Sequence, residues 1–206
     1  GLLLVILPLF RAERRRRSHI PKSQRLRTLI YFGLVGIAFL FVEIAWIQRL
    51  QLYLGHPVYA TTAVLVSFLV FAGLGSLWSQ SLQHARPQRL LFRAALVIAL
   101  VSLIYIVFVP SWLNAVADLP LVFRGSLALV MLAPLAFAMG IPVPIGLRAL
   151  GNASDPLIPW AWGINGVASV ISALVAPLLA MEIGFSGLIG FAVIAYLVLP
   201  AIHFGH

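Results

Sequence analysis

The chain has 206 residues, of which 62% are hydrophobic and 9% are charged, and it contains no cysteine. A soluble globular chain carries roughly 45–50% apolar and about 25% charged residues, so this composition excludes an ordinary soluble domain and indicates a membrane protein. The absence of cysteine excludes disulfides, thiolate metal sites and cysteine nucleophiles.

The chain opens on a short apolar segment that is followed by a basic one. Residues 1–10 are too few to cross a bilayer, which takes about 20 apolar residues, so we expect them to end a transmembrane helix that begins upstream. Residues 11–27 hold more than half of the fourteen lysines and arginines, including Arg14, Arg15, Arg16 and Arg17. We expect a basic cytoplasmic loop that sets the topology and contacts anionic lipid headgroups.

Residues 28–206 are predicted to form a six-helix membrane domain, which makes the fold an all-α polytopic bundle. Apolar stretches of spanning length alternate with short linkers rich in glycine, proline and charged residues. The predicted spans are 28–50, 58–80, 90–110, 121–140, 160–182 and 184–203. Residues 139–149 (MGIPVPIGLRA) are too broken for a regular helix, so we expect a tight turn or a short re-entrant piece there.

The distribution of positive charge predicts the orientation. With residues 11–27 in the cytoplasm, six spans place all but two of the fourteen lysines and arginines inside, the exceptions being Arg49 and Arg124. The C-terminus then also lies in the cytoplasm. The net charge of +9 is concentrated beside apolar spans, a pattern that favours membrane topology over nucleic-acid binding, and we predict no nucleic-acid partner.

Glu43 is the most informative side chain, because it lies deep inside the first predicted span. Ionisable groups at that depth cost several kcal/mol and normally face the bundle interior beside a partner. Gly36 shares its helical face and would let another helix approach. Arg124, near the outer end of another span, is the expected partner. The carboxylate is either a cation or proton site in a transport pathway or a structural group that holds helices together.

Other polar residues form two further groups. Gln48, Arg49 and His56 cluster at the outer end of the first span, as an interfacial rim or as a contact for a partner or ligand. Asn165, with two serines at helical spacing, forms a polar stripe that we interpret mainly as helix packing, with a substrate-lining role as the alternative. No histidine pattern, nucleophile–base pair or nucleotide-binding loop is present, so we predict no catalytic residue, metal or cofactor.

Three blocks of sequence resemble a known family. They are 38–76 (AFLFVEIAWIQRLQLYLGHPVYATTAVLVSFLVFAGLGS), 139–150 (MGIPVPIGLRAL) and 159–175 (PWAWGINGVASVISALV). In this order they resemble the C-terminal membrane region of bacterial spermidine-synthase-like proteins, which are related to polyamine synthases and methyltransferases. The resemblance implies a Rossmann-like domain elsewhere in the gene product. The catalytic acids and glycine loop of such a domain have no counterpart in these residues.

Three functions therefore stay open. We favour a non-catalytic integral subunit or anchor domain in a bacterial inner membrane, which packs against other membrane chains in a larger assembly. The sequence has a single deeply placed acid and no visible repeat of the kind on which many transporters are built. The alternatives are a transporter-like domain that moves a small, cationic solute past Glu43, and the membrane half of a spermidine-synthase-like enzyme.

Overall fold

The computed structural model describes residues 21–82, 86–115, 118–151 and 156–202. This part of the chain is 92% helical and contains no strand, as the composition predicts. Its helices are α1 (Lys22–Leu54), α2 (Pro57–Ser81), α3 (Pro87–Ala115), α4 (Leu121–Met139), α5 (Pro142–Leu150) and α6 (Ile158–Val198), with a short 3₁₀ turn at Leu199–Ala201.

Five helical segments in the described residues are long and apolar enough to cross a membrane. They are Lys22–Leu54, Pro57–Ser81, Pro87–Leu113, Leu121–Leu150 and Ile158–Ala201. Large apolar side chains point outward from these helices; Leu100 and Leu174, for example, are 60% and 72% exposed. Such surfaces are stable against hydrocarbon and costly against water, so the fold is compatible with a multi-pass membrane protein. The predicted count of six spans is not confirmed.

The count differs from the predicted one because α6 covers the stretch where two separate spans are predicted. Its helical backbone is nevertheless interrupted at one residue. Gly184 has φ of 73° and ψ of 170°, outside the helical region. Only glycine adopts this combination readily, because a Cβ would clash with the backbone. The helical backbone is therefore broken at the position where the last two spans are predicted to meet. Pro134 and Pro177, by contrast, lie inside α4 and α6 without ending either helix.

The first helix forms the centre of the bundle. More than half of its most apolar stretch is buried, a larger share than in any other spanning segment described. Its buried face includes Tyr31, Phe32, Trp46 and Leu50, each at most 1% exposed. α6 makes the most extensive contact with α1, and α2 packs mainly against α4.

Short side chains permit both of these contacts. A Cβ added to Gly36 on α1 would lie 2.6 Å from the backbone oxygen of Asn165 on α6, so the close approach expected at Gly36 is found. On the other side of the bundle, Ser67 of α2 donates a hydrogen bond of 3.0 Å to the carbonyl of Leu129 on α4. Helices can approach this closely in a membrane where small residues line the contact.

Residues 142–150 form a regular helix, so the expectation that this segment is too broken for one is wrong. The two prolines of this segment lie in the first turn, where backbone N–H groups have no helical acceptor and proline costs nothing. The hydroxyl of Tyr31 donates a 2.8 Å hydrogen bond to the carbonyl of Pro142, and Gly146 packs against the Tyr31 ring. These contacts hold α5 against the first turns of α1.

Candidate intramembrane site

Glu43 lies within α1 and is 8% exposed. Its neighbours on the same helix, Val42, Ala45 and Trp46, are at most 1% exposed. Among the described residues, no hydrogen bond or ion pair reaches its carboxylate. A buried acid without a partner is costly in a membrane, so this position calls for a structural or functional explanation.

An aromatic pair lies one turn further along α1. The Trp46 ring contacts Tyr105 of α3 edge to face, with ring centroids 5.5 Å apart and planes at 90°. Tyr105 in turn donates its hydroxyl proton to the carbonyl of Met131 on α4. The Arg49 guanidinium lies 5.9 Å from the Trp46 ring centroid. These contacts join α1, α3 and α4 one turn beyond Glu43. The Trp46 Nε1 proton has no acceptor among the described residues.

Arg124 does not pair with Glu43 in the described structure. Its guanidinium instead lies 4.6 Å from the ring centroid of Tyr53, which is a cation–π contact. The reason is the axial position of the two residues. Arg124 belongs to the first turn of α4, which meets the last turn of α1, whereas Glu43 lies nearly three turns, about 15 Å, before Tyr53.

Asn165 is also separated from Glu43. Its Nδ2 donates a 3.1 Å hydrogen bond to the carbonyl of Phe32, close to where Gly36 meets α6. Gly36 precedes Glu43 by about two turns, or roughly 10 Å along the helix axis. The candidates Glu43, Arg124 and Asn165 are therefore distributed along α1 and do not form one cluster.

The rim residues have mainly local roles. The His56 Nδ1 accepts a 3.3 Å hydrogen bond from the backbone N–H of Val58, so His56 caps the N-terminus of α2. Its ring also packs on Tyr59, with centroids 5.3 Å apart. The sequence analysis does not predict this cap. Its signal is a histidine placed directly before the proline at which an apolar helix begins. Gln48 and Arg49 are half-buried, and Gln48 Oε1 has no donor among the described residues.

The polar stripe of α6 serves helix packing. Asn165 bonds across to α1, while the hydroxyl of Ser172 bonds within its own helix to the carbonyl of Ala168, at 2.7 Å. The Ser169 Oγ lies 3.1 Å from the position of a Cβ built on Gly36. These contacts agree with the interpretation of the stripe as a helix-packing surface.

Two grooves are open on the sides of the described bundle. One, of about 350 Å³, lies between α2 and α4 and includes Thr62 and Ser126. The other, of about 430 Å³, lies between α2, α3 and α4 and includes Trp78 and Arg93. Glu43 lines neither of them.

No family model, curated protein or solved structure matches this chain. The resemblance to spermidine-synthase-like proteins therefore stays a prediction, and function has to be argued from the geometry. In the part of the chain that the structure describes, no group of three histidine, aspartate or glutamate side chains could hold a metal ion. The run Arg14, Arg15, Arg16 and Arg17 lies outside the described residues.

Proposed function

We propose that this chain is a non-catalytic integral membrane subunit or anchor domain, which packs against other membrane chains in a larger assembly. The observation that carries the proposal is an unfilled small-residue face on α6. Gly166 and Ala173, two turns apart, are exposed, and a Cβ on Gly166 would meet nothing within 4 Å. Glycine inside a helix costs about 1 kcal/mol relative to alanine, and a second helix packed on Gly166 would offset that cost.

The internal polar contacts support the same proposal. Tyr31, Ser67, Tyr105 and Asn165 each donate to a backbone carbonyl of a neighbouring helix. Their hydrogen-bonding capacity is used to fix helices and is not directed into either of the two grooves. A rigid bundle with an open small-residue face is the architecture expected of a subunit that docks in the membrane.

We further propose that α6 crosses the membrane twice, which gives six crossings with the chain ends of the bundle on the cytoplasmic side. Arg25 of α1 lies 4.3 Å from the ring centroid of Trp160, so α6 starts beside the first turns of α1. Near its other end, Tyr196 is buried close to Tyr31, in the third turn of α1. Both ends of α6 returning to one end of the bundle supports a reversal at Gly184.

Impermeant labelling tests this topology directly, because a chain without cysteine accepts single cysteines cleanly. In sealed inside-out vesicles, a membrane-impermeant maleimide is expected to label Ser23→Cys, and to label His56→Cys and Glu182→Cys only after the vesicles are opened. Equal labelling of Ser23→Cys and Glu182→Cys in sealed vesicles would contradict the reversal at Gly184.

Co-purification tests the assembly. We expect the wild-type chain, extracted from its own membrane in a mild detergent, to migrate on native gels as a complex well above its monomer mass. Gly166→Leu should release it, since the added side chain starts in open space and blocks the face. Val107→Trp is the control, because Val107 is also exposed but belongs to another helix, α3. A complex unaffected by Gly166→Leu, or a lone wild-type monomer, would refute the proposal.

A second candidate is transport of a small cationic solute, and one observation favours it. Glu43 is a buried carboxylate for which the described structure provides no hydrogen bond or ion pair. If it binds a cation in a transport cycle, Glu43→Gln should abolish solute uptake in proteoliposomes while the folded bundle stays intact. Uptake that is unchanged in Glu43→Gln would contradict the transport proposal. So would a wild-type protein that takes up none of the small cations offered, and Glu43 would then be a structural residue of the subunit.

A further inference from the structure

The larger groove lies at the end of the bundle where α2 and α4 finish and α3 begins. Its volume is about 430 Å³, and its walls are almost entirely apolar, with Trp78, Val97 and Phe137 among them. The Trp78 and Phe137 rings contact each other, with centroids 5.7 Å apart, and form the floor between α2 and α4. At this depth such a surface is suited to a hydrocarbon chain.

Three arginines lie at or near the mouth of this groove. Arg93 is the charged side chain among its lining residues. Arg89 precedes it by one turn on the same side of α3, and Arg86 directly precedes the helix. All three are exposed. None of the three guanidinium groups makes a hydrogen bond or ion pair with another described residue.

The acidic residues of the described chain do not neutralise this cluster. Glu43 is buried in α1, Asp118 follows the opposite end of α3, and Glu182 lies just before the break at Gly184. Three exposed cations beside an apolar groove therefore attract an anionic group to its mouth. A second apolar helix would fill the groove but would bring no negative charge to the arginines.

We propose that this groove binds an anionic phospholipid, with one acyl chain against Trp78, Val97 and Phe137 and the phosphate at Arg93. A guanidinium and a phosphate form strong charge-assisted hydrogen bonds, and basic pockets between membrane helices recognise such headgroups. Arg86 and Arg89 add electrostatic attraction to the headgroup region. The inference rests on the membrane location of the bundle and is independent of the assembly proposed above.

Lipid retention by native mass spectrometry tests the site. The full chain in detergent is delipidated and titrated with phosphatidylglycerol or phosphatidylcholine of identical acyl chains. We expect phosphatidylglycerol to bind more tightly, and Arg93→Gln to weaken it about fivefold, since one basic residue near a lipid surface contributes about 1 kcal/mol. Val97→Trp fills the groove and should remove the bound lipid of either kind.

Matched controls separate this site from general attraction to basic segments. Arg49→Gln removes a cation at the opposite end of the bundle, and Val107→Trp adds the same bulk elsewhere on α3; both should retain wild-type lipid binding. Equal binding of the two lipids, or full retention by Val97→Trp, would overturn the proposal. It would also be overturned if Val97→Trp left lipid binding intact but removed a second copy of the chain, because the groove would then be a protein interface.

Discussion

Gly75 and Gly140 each press against the backbone of the opposite helix. A Cβ on Gly75 would overlap the carbonyl oxygen of Phe137, and a Cβ on Gly140 would overlap that of Ala72. The two contacts are reciprocal, so α2 and α4 touch backbone to backbone near the ends where they finish. Phe137 of this contact also lines the groove proposed to bind lipid.

The first prediction concerns this contact. Gly75→Ala should destabilise the bundle by about 1–3 kcal/mol, because the helices must separate to admit the methyl group. Gly73→Ala, two residues earlier on the same helix, meets nothing within 4 Å and should be neutral or stabilising by up to about 1 kcal/mol. Unfolding of both variants in mixed micelles with increasing SDS measures the difference. Similar effects of the two substitutions would contradict the packing.

The second prediction concerns the interhelical hydrogen bond of Asn165. Asn165→Ala should cost about 0.6–2 kcal/mol, the range measured for such bonds in membranes. Ser172→Ala is the control, since its hydroxyl bonds only within α6 and its loss should change stability by much less. The same SDS titration compares them. A Ser172→Ala effect as large as that of Asn165→Ala would argue against a specific link between α1 and α6.

The third prediction concerns Glu43. Glu43→Gln should leave the free energy of unfolding unchanged or increased, because it removes a carboxylate that has no partner in the described structure and keeps its shape. Glu182→Gln, on an exposed side chain, should have little effect. A loss of more than about 1 kcal/mol in Glu43→Gln would show that the carboxylate makes a stabilising bond in the folded protein.

The fourth prediction concerns the break in α6. Gly184→Ala should destabilise the protein by about 1–3 kcal/mol, because its φ and ψ belong to a region that side chains avoid. Gly190→Ala is the control: it lies in helical backbone and its added methyl group meets nothing within 4 Å. Thermal unfolding in detergent checks the pair. A neutral Gly184→Ala would show that the chain does not reverse through this conformation.

The helical class and several contacts could be predicted from local sequence. Uninterrupted apolar stretches predict helices of spanning length, Gly36 signals a close approach, and Gly184 marks a boundary in α6. Each of these signals acts within one segment, through hydropathy or backbone freedom. The α5 helix was missed because its prolines suggested a break, although in a first turn they are harmless.

The arrangement of the candidate site could not be predicted from the same signals. The partner of Arg124 depends on how far along α1 the first turn of α4 meets it, and that register is set by contacts such as those of Gly75 and Gly140. Sequence spacing on one helix carries no information about it. The sequence therefore predicts a pair between Glu43 and Arg124. In the structure, about 15 Å along the axis of α1 separates Glu43 from Tyr53, the residue that Arg124 contacts.

The most direct test of the proposed subunit is cross-linking inside the membrane. A single cysteine at Ala173, on the open face of α6, can be labelled with a photoreactive maleimide in intact membranes, with Leu103→Cys on the exposed side of α3 as the control. The account predicts a discrete adduct of higher mass with another membrane chain from Ala173→Cys, and only lipid adducts from Leu103→Cys. Lipid adducts alone at both positions would contradict it.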